Sequence, residues 1–302
     1  MKNLRTIIWN QILSRSKELA AAGFLAGGLF AISALSDQSP QKSETAFQPE
    51  AFSSCRLTSS LPYQDGEELT FKVGYSLSPM WVGAGELSLQ MSEFDYHGRP
   101  AWHARADATT YRSFNRIYRV EDRYESWWDQ ASRQPLEFER DVNEGGFTFY
   151  RHYLHDANKG AVDTYFKRKE KEVRSRIMSL PPCSQDLLSA VYHLRSLDYR
   201  GMKTGDVIPM TLLVDAKTQQ LQVRYLGREK LKTKLGTFDC LVLQPEVMAG
   251  DYFKDGEGLK VWLSNDENRL PLRAEAEILL GSLRAELKSF EGVAHPQDAR
   301  VR

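Results

Sequence analysis

The residues most capable of chemistry form one charged set around an aromatic hairpin. Asp122, Arg123 and Glu125 precede Trp127, and Arg140, Asp141 and Glu144 follow on the return strand. Two carboxylates flanking a cleft could supply a general acid and a base or nucleophile, as in glycoside hydrolysis. The same residues could instead hold a hairpin in register through cross-strand arginine–carboxylate pairs, with no ligand involved. The one close histidine pair is His152-x-x-His155. Residues three apart on a strand point to opposite faces, so the pair does not chelate unless the strand ends between them, and no metal is expected. Cys55, Cys183 and Cys240 are odd in number and form no Cys-x-x-Cys. Cys240 alternates with apolar neighbours in Phe238–Leu243 and reads as a small core residue, whereas a Cys55–Cys183 bridge would tie the start of the folded region to the Pro181-Pro182 turn. No nucleophile elbow, zincin helix, phosphate loop or cysteine knuckle is present, so neither a catalytic residue nor a cofactor is assigned.

The element that must position the charged set is the hairpin Asp122–Asp141. Trp127-Trp128 leads into a polar run that ends in Arg133-Gln134-Pro135-Leu136, and Trp262 to Leu272 repeats the pattern with Arg269-Leu270-Pro271-Leu272. Pro135 is tolerable near a strand end or on an edge. Other turn signals recur as well: Gly66-Glu67 corresponds to Gly205-Asp206, and Gly98 to Gly236. A period this long is no solenoid repeat; it suggests a duplicated half, about 61–180 and 200–293.

The body reads as mainly β, made of antiparallel curved sheets or half-barrels. Leu69, Phe71, Val73 and Tyr75 alternate with Thr70, Lys72 and Gly74, the pattern of a half-buried strand. Trp81–Gly85 is expected to form a glycine-rich turn. Lys167–Arg176 mixes charges of both signs and suits a solvated hairpin or edge strand. One amphipathic helix is expected over about 184–196, capped by Ser184 or Asp186, with Leu187, Leu188, Val191, Tyr192 and Leu194 on its apolar face. Such a helix packs best across the open side of a curved sheet.

Lys2, Arg5, Arg15 and Lys17 precede or flank an uncharged run from Leu19 to Leu35. Residues 1–36 therefore read as an export signal cleaved before Asp37, or as a retained inner-membrane anchor. Residues 37–60 read as a flexible linker, 61–293 as the β-rich domain and 294–302 as a tail. Without the first 36 residues the chain carries 36 basic and 39 acidic groups. That balance gives no basic face for nucleic acid.

Several ordered motifs carry a family resemblance. They are Gly66-Glu67-x-Leu69-Thr70-Phe71, Ala84-Gly85-Glu86-Leu87, Asp122-Arg123-Tyr124-Glu125-Ser126, Arg140-Asp141, Glu144-Gly145-Gly146, Gln185–Arg195, Gly236-Thr237-Phe238-x-Cys240-Leu241, Val261–Pro271 and Gly281-Ser282-x-Arg284. Together they resemble the bacterial exported family DUF3108. The resemblance implies export and an all-β fold, and it transfers no catalytic residue. The tryptophan hairpin is also similar to that of periplasmic lipoprotein carriers of the LolA/LolB type, which implies a curved sheet over an apolar cavity.

With 13 Tyr, 14 Phe and 6 Trp, the chain can line a concave sheet that takes an apolar or sugar ligand, or fill a core. Three functions follow. The first is a non-catalytic envelope protein that binds a lipidic or amphipathic ligand, with Asp122, Arg123, Glu125, Trp127, Arg140, Asp141 and Glu144 as the residues to inspect. The second is a protein that binds or processes envelope polysaccharide through those acids. The third is a structural assembly factor that engages envelope proteins through exposed strands.

Overall fold

The structure, a computed structural model, describes residues 57–301 except 78–79, 117, 157–158, 169–173, 246–257 and 279–280. The expected export segment, most of the linker and Cys55 lie outside the described residues. Those described form β1 (Glu68–Leu77), β2 (Met80–Tyr96), β3 (Arg99–Thr110), the single-turn α1 (Arg112–Asn115), β4 (Glu121–Asp129), β5 (Pro135–Glu144), β6 (Phe147–Asp156), β7 (Ala161–Lys167) and β8 (Arg174–Ser179). The helix α2 (Leu187–Arg195) follows. Then come β9 (Val207–Val214), β10 (Lys217–Thr233), β11 (Gly236–Pro245), β12 (Leu259–Ser264), β13 (Pro271–Ile278), β14 (Gly281–Glu291) and β15 (Arg300–Val301).

All named strands belong to one sheet, ordered β8-β7-β6-β5-β4-β3-β2-β1-β14-β13-β12-β11-β10-β9, with β15 added to β11. The chain is mainly β and antiparallel. Where the sequence suggests separate sheets there is one, because β1 pairs with β14 and fuses the two meanders edge to edge. The second meander echoes the first: β2 and β10 each run 17 residues. Left-handed backbone recurs at Gly66 and Gly205, and at the non-glycine turn residues Arg133 (φ 56°) and Arg269 (φ 48°). The tail is tethered, since Arg300 and Val301 pair with Phe238 and Thr237.

The sheet curls without closing. β8 and β9 stand at opposite ends of the strand order. Even so, the β9–β10 turn reaches β5 and β6. Asp215 Oδ1 lies 3.7 Å from Arg140 and 3.1 Å from Arg151, and the Ala216 N–H donates to Tyr153 Oη at 3.0 Å. Strands so far apart in the order can touch only across a shared concave face. That face carries Leu69, Phe71, Leu87, Tyr124, Phe138 and Leu212, all essentially buried. Each such side chain contributes roughly 1.5–3 kcal/mol on leaving water.

Trp81–Gly85 is not a turn. These residues lie inside β2, which begins at Met80. A bulge between Val73 and Gly74 brings Gly74 opposite Gly83. A Cβ on Gly85 would lie 2.2 Å from the Thr109 carbonyl oxygen, so glycine here permits close strand approach.

α2 packs on the inner face against β3, β4 and β9. Asp186 caps it: Oδ1 accepts from Leu188 N and Ser189 N at 2.8 Å each, and Ser189 Oγ accepts from Asp186 N at 3.0 Å. This reciprocal capping box satisfies otherwise orphaned backbone donors. Asp186 Oδ2 also accepts from Ser126 Oγ at 2.7 Å, which pins the helix start to β4.

Candidate functional site

Period-two alternation divides the sequence candidates between two faces. Register places Arg123 opposite Asp141, and Glu125 opposite Glu139. Arg123, Glu125, Trp127 and Asp141 therefore share the convex face, and Asp122, Arg140 and Glu144 share the concave face. The structure does not bring the whole set to one cleft.

On the convex face the register role is visible. Asp107 accepts from Arg105 Nε at 2.6 Å and from Arg123 Nε at 2.8 Å, and these bonds hold its carboxyl below the usual range against its own desolvation. Glu125 contacts His103 Nε2 at 3.1 Å, and that imidazole stacks on Trp127 with centroids 4.5 Å apart. Asp141 is exposed.

The concave residues are buried. Asp122, Arg140 and Glu144 are 3%, 4% and 1% exposed, which rules out simple surface charges. Asp122 Oδ1 accepts from Asn143 N at 2.9 Å, and Glu144 Oε2 accepts from Tyr118 Oη at 3.4 Å. The two carboxyls hydrogen-bond to each other. Oδ2 of Asp122 and Oε1 of Glu144 are buried with no protein donor, and a proton on one carboxyl would let it donate to the other. Burial first, then the Asp122 charge, pushes Glu144 well above the usual carboxylate range, making it the protonated member.

Beside this pair, Arg140 Nε donates to Tyr124 Oη at 3.0 Å, and its guanidinium lies 4.6 Å from the Phe149 ring centroid. Arg151 shares Asp215 with it and lies over Phe166 at 4.6 Å. Toward β8, the end of the strand order among the described residues, the concave face is less buried. Phe147, Phe149 and Phe166 are only half-buried, with centroid separations of 5.7 and 6.0 Å, and Arg168 lies over Phe147 at 4.3 Å. Sequence reasoning missed Arg151, Phe149, Phe166 and Asp215. Parity with Arg140 could have found the first two once β5–β6 pairing was known, but nothing local announces Asp215.

The family motifs converge elsewhere, on a structural junction. Arg195 at the end of α2 is fully buried and forks onto Glu67 at 2.6 and 2.7 Å. It also donates to the carbonyl oxygens of Pro62 (2.7 Å) and Asn268 (3.1 Å). Glu67, Arg195 and Asn268 each lie in a motif quoted above, so those motifs tie together the start of β1, the helix and the second hairpin.

His152 and His155 point to opposite faces of β6. His152 joins Glu137 and Glu139 on the convex face, with ligand atoms within 4.8 Å of one another, a spacing that could hold a cation. Tyr96 Oη donates to Glu137 at 2.7 Å. His155 is half-buried, its Nε2 is inaccessible and without a partner, and burial lowers it to about 4. Cys240 is a buried free thiol; Cys183 is disulfide-bonded, and its expected partner Cys55 lies outside the described residues. No described helix is long and apolar enough to cross a membrane.

The family model described as protein of unknown function (DUF3108) matches residues 70–288, and the chain belongs to that family. A crystal structure of a beta-barrel-like protein of the domain of unknown function DUF1849 from Brucella abortus is 9% identical over 77% of this chain and 100% of that one, with a TM-score of 0.49. No curated protein matches the chain. The comparisons do not show the likeness to lipoprotein carriers of the LolA/LolB type.

Proposed function

We propose that the chain is a non-catalytic cell-envelope protein that binds an anionic amphipathic ligand on the β8 end of its concave face. The observation that carries this reading is the half-buried Phe147–Phe149–Phe166 cluster, with Arg151 beneath it and Arg168 at its rim, beside the β8 end of the strand order among the described residues. The rings offer apolar surface to an acyl chain, and the guanidinium groups suit an anionic headgroup. Export is part of the proposal. It is supported by the uncharged Leu19–Leu35 run behind a basic segment and by the disulfide at Cys183, since such bonds persist in oxidising compartments.

The test is titration of the mature protein with a fluorescent fatty acid. Saturable binding is expected, with at least a tenfold loss in Phe149→Asp and none in Phe94→Asp, a control on the exposed convex-face residue Phe94. No saturable binding, or equal loss in both variants, would remove the concave face as the site.

A further inference from the structure

On the convex face, opposite the proposed ligand surface, the β5–β6 pairing assembles a second set of groups. Glu137 and Glu139 are two apart on β5 and so point to the same side, and Glu139 stands directly opposite His152 on β6. One ligand atom from each of the three lies within 4.8 Å of the other two. All three residues are half-buried, so the sheet holds them in place while solvent still reaches them.

Hydrogen bonds within the protein account for only part of this arrangement. His152 Nε2 meets Glu137 Oε1 at 2.7 Å, and Tyr96 Oη donates to Glu137 Oε2 at 2.7 Å. Glu139 accepts from the Tyr150 hydroxyl. Neither glutamate pairs with a lysine or arginine among the described residues, whereas Asp107, Glu275 and Glu286 each bind an arginine. Register sharpens the deficit at Glu139. On its other side, across β4, stands Glu125, and like charges directly opposite one another destabilise a sheet. Arg105 and Arg123 on the same face donate to Asp107 instead. A cation at Glu139 would supply the missing charge.

The donor atoms say which cation. Calcium and magnesium take oxygen ligands, whereas an imidazole nitrogen joined by two carboxylates suits a first-row divalent ion such as zinc. Zinc bonds of about 2.0–2.2 Å set tetrahedral donors about 3.4 Å apart, which these three side chains reach by small rotations alone.

We propose that Glu137, Glu139 and His152 bind one divalent transition-metal ion of the zinc class, with Tyr96 and Tyr150 orienting the two carboxylates. The ion replaces the Glu137–His152 hydrogen bond by a bond to each group and clips β5 to β6. Three protein ligands leave one tetrahedral position to water. The outer hydroxyls fix the carboxylate rotamers in the way that partners of metal ligands commonly do.

The experiment uses the full chain with its disulfide intact, untagged and stripped with a chelator. Isothermal titration with zinc chloride should show saturable uptake of one ion per chain. Binding should be weaker by about tenfold or more in Glu139→Gln and in His152→Gln, and unchanged in His103→Gln, which removes the neighbouring histidine–glutamate pair. Circular dichroism checks that each variant keeps the wild-type fold. No uptake in wild type, uptake unchanged in the Glu139 and His152 variants, or calcium bound in preference to zinc would overturn the proposal. Diffraction at the zinc absorption edge reads the wild type alone. An anomalous peak bonded to His152 and to either glutamate supports the site, and a peak only elsewhere shows an adventitious ion only and refutes it.

Discussion

Replacing Arg195 by methionine should be among the most damaging single changes in this protein. The guanidinium makes a bidentate bond to Glu67 and serves two backbone carbonyls, with both charged side chains at 0% exposure. Methionine keeps the packing stem but leaves the Glu67 carboxylate in the interior without its counter-charge. Breaking a buried pair in this way costs about 3–5 kcal/mol, against less than 1 kcal/mol for an exposed pair. At about 2–4 °C per kcal/mol for a domain of this size, Tm should fall by roughly 6–20 °C. Urea unfolding at pH 7, followed by circular dichroism, reads the loss. The double variant Glu67→Leu with Arg195→Met should recover most of it, since no charge is then stranded. A loss below about 1 kcal/mol in the single variant, or no recovery in the double, would refute the claim that desolvated charge sets the size of the effect.

Three further outcomes follow. Glu144 is raised above its unfolded value, so its contribution is full below about pH 4.5 and is lost as pH rises; Glu144→Gln should therefore raise the urea midpoint at pH 8 and lose that advantage towards pH 4.5. His155 is lowered to about 4, so stability should decline as pH falls from 6.5 to 4, and His155→Leu should remove up to roughly 3 kcal/mol of that decline in a pH series of urea melts. Gly85→Ala would drive a Cβ into the Thr109 carbonyl, forcing β2 from β3 at a cost of about 1–3 kcal/mol or more; an unchanged urea midpoint would show that the strands part freely.

Much of this fold is legible in the sequence because β structure writes itself in period two. Leu69, Phe71, Val73 and Tyr75 face inward as their alternation requires, and Asp186 caps the helix it precedes. The Arg133 and Arg269 turns share a left-handed backbone as well as their Arg-x-Pro-Leu setting, a conformation the sequence pattern did not announce. Gly83 and Gly85 misled because a glycine that lets strands approach looks, in sequence, like one that turns the chain. The charged set was read as a single rim, but parity separates Asp122, Arg140 and Glu144 from Arg123, Glu125, Trp127 and Asp141 once the register is known. Asp215 was invisible for a different reason. Its meeting with Arg140 and Arg151 depends on how far the sheet curls, which sums small twists over many strands and leaves no local mark.

The central claim concerns the β8 end of the concave face, and native mass spectrometry of the protein, purified from its native host without detergent exchange, tests it most directly. The account predicts a bound anionic amphiphile, recovered with the wild-type protein and lost in Phe149→Asp. Wild-type protein recovered only at its polypeptide mass, or an adduct retained unchanged by Phe149→Asp, would contradict it.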